Sequence, residues 1–151
     1  MSTVTATATR SVDAPADVVF RCLCDFRDHH PGFLPPAFSD FVVEEGGTGA
    51  GTIVRFTATA GGRSRPYRMR VEVPEPGRVL VERDTGSSLV TTFTLAPEGD
   101  RTRVRIDTTW NGAGGIGGVF ERMFAPAAMK RIYDDELARL DAYAHGLATQ
   151  S

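Results

Sequence analysis

Cysteine is scarce in this chain. Cys22 and Cys24 are the only two in 151 residues. On a helix, residues two apart point about 200° away from each other, so no bridge joins them. The pair fits a reducing compartment, with a buried small apolar residue as the reading for at least one and a reactive thiol as the minor alternative. Long hydrophobic runs are absent too, and none approaches the ~20 residues of a transmembrane helix. The opening MSTVTATATRSV has neither the charged start nor the apolar core of a signal peptide. These absences predict a cytoplasmic protein with no membrane span.

Charge of one sign is also lacking. The formal net charge is -2, so no global field favours an anionic membrane or a nucleic-acid partner. Histidine is rare: His29 and His30 are adjacent, and His145 is distant. They do not supply three convergent ligands, so no metal is expected, and the loop before Pro31 reads as solvated. Asp134, Asp135 and Glu136 are consecutive, fan around a helix and read as a solvated face. No serine or cysteine sits in a recognisable nucleophile context, and nothing calls for a cofactor.

What is present is an ordinary globular composition, 41% hydrophobic and 24% charged, in a length that suits one domain, residues 1–151. Residues 4–12 alternate with threonines on one face, the period of a first strand. DAPADVVFRCLCDF then has helical spacing, with Asp13 as cap and Pro15 in the first turn. RDHHPGFLPPAF is broken by prolines. From residue 38 six strand-like runs follow, separated by turn signals, and short hairpin connections make the sheet antiparallel. Tyr67, Met69, Val71 and Val73 alternate with Arg68, Arg70 and Glu72, so one face is dry and the other wet. From Ile116 to about Leu147 the pattern is helical, with Tyr133, Leu137, Leu140 and Ala144 in one stripe, and Pro126 kinks this helix or starts its main segment. A long helix after six strands must lie across the dry face of a curved sheet, an α+β arrangement.

Gly112, Gly114 and Gly117 have the spacing of a dinucleotide loop. Such a loop needs a following parallel strand with an acidic residue, and here the helix runs on to the end. The glycines read instead as a connector, or as a hinge beside the mouth of a cavity.

The inward faces list a lining for such a cavity: Val54, Phe56, Tyr67, Met69, Leu89, Thr91, Phe93, Thr108 and Trp110 from the sheet, and Phe120, Met123, Phe124 and Ala127 from the helix. Phe33 and Phe38 stand at its entrance. Arg83 shares parity with Val79 and Val81 and is expected inward, unless the strand end is solvated there. Apolar walls with a few polar groups suit a small-molecule pocket; the alternative is that these side chains simply fill the core. Outward Arg55, Arg68, Arg70, Arg103 and Arg105 form a basic stripe, with Glu72, Glu82 and Asp107 on nearby strands for cross-strand pairing.

The segments SVDAPADVVFRCLCDF, GTGAGTIVRF, VEVPEPGRVLVER and the run from TRVRI through WNGAGGIGGVFERMFAPAAMKRIYDDELARLDAY are similar to those of a known family. In their order and spacing the chain resembles the START-like (SRPBCC) superfamily, within it the polyketide cyclase/dehydrase and lipid-transport group. The resemblance implies a helix-grip (Bet v 1-like) fold: a seven-stranded antiparallel sheet wrapped around a long C-terminal helix, with a cavity between them. It also implies binding of a hydrophobic or aromatic small molecule, and it supplies no invariant catalytic motif. The first expectation is therefore a binding protein for a lipid- or polyketide-like molecule. The second is a cyclase or dehydratase in which Tyr67 or Arg83 polarises a carbonyl; general acid–base work needs a titratable group inside, and the inward list is short of them. A third is a protein-interaction module, which requires an exposed apolar patch. The oligomeric state stays open, with a homodimer one option.

Overall fold

The protein is described by a computed structural model over residues 3–60, 62–111 and 126–150. Strand β1 (Thr3–Val12) is followed by helix α1 (Ala16–Cys24) and a short 3-10 helix (His30–Phe33). Six strands come next: β2 (Phe38–Glu45), β3 (Ile53–Ala60), β4 (Arg63–Glu75), β5 (Val79–Asp84), β6 (Val90–Glu98) and β7 (Arg101–Asn111). Helix α2 (Pro126–Thr149) closes the described chain. Pro126 is the first described residue of this helix, a position its missing N–H and fixed φ suit; the stretch from Ile116 to position 125, also expected to be helical, lies outside the described residues.

The seven strands form one sheet in the order β1-β7-β6-β5-β4-β3-β2. Every pairing is antiparallel, including β1 with β7, which joins the first strand to the last. Antiparallel neighbours on both sides of β7, and no strand after α2 among the described residues, leave no parallel βαβ unit for a dinucleotide loop. Gly112, Gly114 and Gly117 themselves lie outside the described residues, as do Phe120, Met123 and Phe124.

The alternation seen in the sequence is realised on most strands. Tyr67, Met69 and Val71 of β4, Phe93 and Leu95 of β6, and Val104, Ile106 and Trp110 of β7 are buried on the face that α2 covers. The opposite face carries ion pairs: Arg55 and Arg68 share the Glu44 carboxylate at 3.0 and 2.7 Å, and Arg105 meets Asp107 at 2.8 Å. From α2, Met129, Tyr133, Glu136, Leu137, Leu140 and Ala144 are buried.

Local details correct one expectation. Pro15, not Asp13, stands at the N-cap of α1, with no side-chain cap. Asp13 instead accepts from Arg101 at 3.1 Å and faces His145 at 3.3 Å, tying the end of β1 to β7 and α2. Both cysteines are free thiols, and burial pushes each up to about 11, which removes the thiolate a reactive cysteine needs. Gly47, at φ +147, brings its backbone against Arg27, where an added Cβ would come 2.5 Å from Nε. Its carbonyl receives the Phe26 N–H at 2.8 Å and so docks the end of α1 on the β2–β3 turn. No helix among the described residues is long and apolar enough to cross a membrane.

Candidate functional site

A cavity lies between the sheet and α2, with about 640 Å³ of empty volume including its open mouth. Its walls come from β3 (Phe56, Ala58), β4 (Tyr67, Met69), β5 (Glu82), β6 (Thr91, Phe93), the 3-10 helix (His30) and α2 (Met129, Ile132, Tyr133, Glu136). Phe38 and Phe41 of β2 and Leu34 complete them near the proline-rich loop. Three rings run in series along one wall: Phe38 meets Phe56 edge-on at 5.4 Å, and Phe56 stacks on Tyr67 at 5.8 Å.

Polar groups gather at one region of this apolar space. Glu82 reaches it because β5 pairs Glu82 with Val71 of β4 and with Thr91 of β6, both inward residues. Glu136 reaches it from α2, three residues after Tyr133 and four before Leu140, so it stands in the buried stripe of the helix. The two side chains are buried, at 9% and 3% exposure. Burial drives the Glu82 carboxyl up to about 7. Glu136 is raised well above the usual carboxylate range, by burial first and then by the negative charges of Glu82 and Asp135.

His30 packs in a ring cage, stacked on Phe26 at 4.4 Å, tilted against Phe33 at 4.7 Å and edge-on to Phe93 at 6.1 Å. Its Nδ1 is 2.8 Å from the Leu23 carbonyl oxygen, which can only accept, so Nδ1 carries the proton. Burial depresses its pKa to about 4 despite that hydrogen bond, so at neutral pH the ring is uncharged. The free lone pair of Nε2 then faces Glu82, 4.0 Å from Oε2. Tyr133 and Thr108 share a hydrogen bond between their hydroxyls, and Thr108 is 2.8 Å from Thr91 Oγ1. This chain of hydroxyls satisfies the buried Tyr133 phenol, whose pKa burial raises. At the other side, Arg65 donates to the Tyr67 hydroxyl at 3.3 Å and its guanidinium lies 4.6 Å from the Tyr67 ring centroid.

The family model for polyketide cyclase / dehydrase and lipid transport matches residues 3–145. The chain belongs to that family. Among solved structures, the KanY protein is 35% identical, with a TM-score of 0.84 over 95% of this chain and 99% of its own. The Zhui aromatase/cyclase from Streptomyces sp. R1128 is 19% identical, with a TM-score of 0.76 over 95% of this chain and 94% of its own. Norcoclaurine synthase from Thalictrum flavum, solved with dopamine and hydroxybenzaldehyde, is 17% identical, with a TM-score of 0.70 over 93% of this chain and 86% of its own. The last two likenesses show the shared helix-grip fold. No curated protein matches the sequence.

In this member of the polyketide cyclase/dehydrase family, the residues expected to bind ligand divide into groups. Phe56, Tyr67, Met69, Thr91 and Phe93 do face the cavity. Thr108 stands behind Thr91 and Tyr133, and Trp110 is buried further along the same face of β7. Phe38 borders the cavity, whereas Phe33 is buried against His30 instead of standing at the entrance.

Arg83 is a correction. It lies on the outer face of β5, opposite Arg70, and pairs with Glu72 at 3.3 Å, with 46% of its side chain exposed. The cause is the run Val79-Leu80-Val81, apolar on both faces, in which parity has no meaning. Cross-strand register decides, and it sends Leu80, Glu82 and Asp84 inward. Glu82 therefore leaves the outer face to which alternation had assigned it. Glu136 leaves the solvated face, and His30 the solvated loop. For Glu136 the signal was its place on the apolar stripe between Tyr133 and Leu140. For His30 it was Phe26 and Phe33 at helical spacing on either side. The expected shortage of inward acids and bases gives way to two carboxyls and an imidazole.

Proposed function

We propose that the protein, as one START-like domain, binds a hydrophobic or aromatic, lipid- or polyketide-like small molecule between the sheet and α2. The observation that carries this reading is the cavity. A native interior is close-packed, with few voids larger than a water molecule, whereas here an open cavity with largely apolar walls is left between the sheet and α2. Such walls with a few convergent polar groups are the usual make-up of a small-molecule site. A protein-interaction module is less well supported, because among the described residues Val42 is the only large hydrophobic side chain reported as exposed. Thermal-shift screening against lipids, flavonoids and polyketides tests the reading. A ligand that binds the folded state raises Tm with its concentration; a screen in which nothing raises Tm would refute it.

A second reading, a cyclase or dehydratase acting on that molecule, is favoured by the carboxyls of Glu82 and Glu136 in the cavity wall. A group that titrates near 7, as Glu82 does, is suited to exchange protons with a bound substrate at neutral pH. Tyr67, not Arg83, is then the residue placed to polarise a carbonyl. A polyketide substrate identified by the screen should be converted by the wild type and left unconverted, though still bound, by Glu82→Gln.

A further inference from the structure

The polar inventory of the cavity has a sign. Glu82 and Glu136 line it, both buried, and neither forms a hydrogen bond to another described residue. His30 presents a lone pair, because its one proton is committed to the Leu23 carbonyl. Tyr133 and Thr91 are engaged with Thr108. No lysine or arginine belongs to the lining among the described residues. Arg65, two residues before the lining residue Tyr67 on β4, is held against the Tyr67 ring and lies 3.8 Å from Asp84, which also contacts the Ser87 hydroxyl and the Gly86 N–H. Among the described residues, then, no cation lines the cavity beside the carboxyl pair, and the neutral groups that do are His30 and the hydroxyls of Tyr67, Thr91 and Tyr133. On α2 the adjacent Asp135 adds negative charge.

We propose that the ligand presents a protonated primary amine to Glu82 and Glu136, carried on an aromatic or aliphatic body that fills the apolar part of the cavity. This rests on the binding reading above and names the ligand class. An ammonium has three donors and no acceptor, and the site offers it two carboxyls, acceptors once ionised, and the lone pair of His30 Nε2. It supplies the countercharge that the pair lacks, and charge-assisted hydrogen bonds are about twice as strong as neutral ones. A carboxylate ligand would bring a third acid to two others. An alcohol brings one donor to a site with several acceptors. Before binding, burial favours the protonated form of both carboxyls; a cation between them favours the ionised form, and the proton given up leaves to solvent. Affinity for the amine therefore rises with pH through the range in which the pair loses its proton, up to the point at which the amine itself deprotonates, roughly pH 10 for an alkylamine.

The test is calorimetric titration of the full chain with phenylbutylamine, phenylbutanol and phenylbutanoic acid, three probes with one body and different ends, at about pH 6 and about pH 8, either side of an ordinary histidine. The amine should bind at least about tenfold tighter than the alcohol at the higher pH and weaken at the lower one, with the acid weakest. Its heat should vary with the buffer's ionisation enthalpy, reporting the released proton. Glu82→Gln and Glu136→Gln should each lose about tenfold or more for the amine and clearly less for the alcohol, whose remaining binding also shows that the variants fold. Should either variant fail to fold, the buffer dependence in the wild type carries the test. Binding of the alcohol or the acid as tightly as the amine, or an amine affinity indifferent to pH and buffer, would overturn the inference and leave the cavity a binding site. Binding of none of the three would count against the binding reading itself.

Discussion

Around Leu140 the interior is filled, while around Glu136, four residues earlier on the same helix, it is not. At the filled end α2 packs on β1 and α1, and Val12, Val19, Leu23, Val104 and Leu140 have no exposed surface at all. At the hollow end the side chains are no smaller. Phe38, Phe41, Phe56 and Met69 stand around empty space and share it with two carboxyls. The difference lies in what meets across the gap. Aliphatic side chains from four elements interlock at one end, while at the other the sheet is lined by large rings and the helix offers Glu136. A protein seldom leaves carboxyls and a void together unless something is meant to fill both, because each carries a cost when empty.

The largest test of this comparison is truncation on each side. Leu140→Ala should cost roughly 2–5 kcal/mol, the range for a filled core. Phe56→Ala should cost less than about half of that, because the half-buried ring already borders a void and its loss adds little new cavity. Denaturant unfolding measures both, and equal losses would break the contrast.

Next in size is the pH dependence. Glu82 titrates at about 7 in the folded protein against an ordinary 4.5, so the native state holds its proton more tightly than the unfolded chain. Its contribution is therefore greatest in acid and is lost as pH rises through that window, by roughly 3 kcal/mol. Glu136 acts in the same direction. His30 opposes them, since its pKa is lowered from 6.5 to about 4: the stability it contributes is present above 6.5 and lost as pH falls towards 4. Glu82→Gln should thus gain Tm relative to the wild type on passing from mildly acid to mildly alkaline buffer. An unchanged difference across that range would show that the carboxyl is not buried as described.

Smaller still is the hydroxyl chain at the border between the two regions. Thr108→Val removes the partner of the Tyr133 phenol and should cost about 1 kcal/mol in unfolding measurements. Smallest is Arg83→Ala on the outer face, expected within about 0.5 kcal/mol because its pair with Glu72 is solvated and screened. A large loss of stability or of ligand binding in that variant would restore Arg83 to the interior.

Much of this architecture was legible. Strands β4, β6 and β7 have clean alternation, so their inward residues could be read directly, and Tyr67, Met69, Thr91 and Phe93 stand where that alternation put them. Strand β5 was not legible, because consecutive valine, leucine and valine hide the parity. A shift in the β4–β5 register between Glu72 and Glu75 further removes any count carried across the turn. Glu136 was misread because three acidic residues in a row look like a wet surface, although a helix points them in three directions.

By itself the sequence determined the order of the elements, the antiparallel sheet and the gripping helix, since periods of two and of 3.6 and short turns are local properties of the chain. Only the tertiary structure decided which polar groups the cavity holds. Glu82 is turned inward by its partners on β4 and β6, Glu136 is carried in by the stripe that α2 buries, and His30 is held in by rings from the segment after α1, the 3-10 helix and β6. Each of those placements depends on residues distant in the chain or on neighbouring elements, and local periodicity does not encode them.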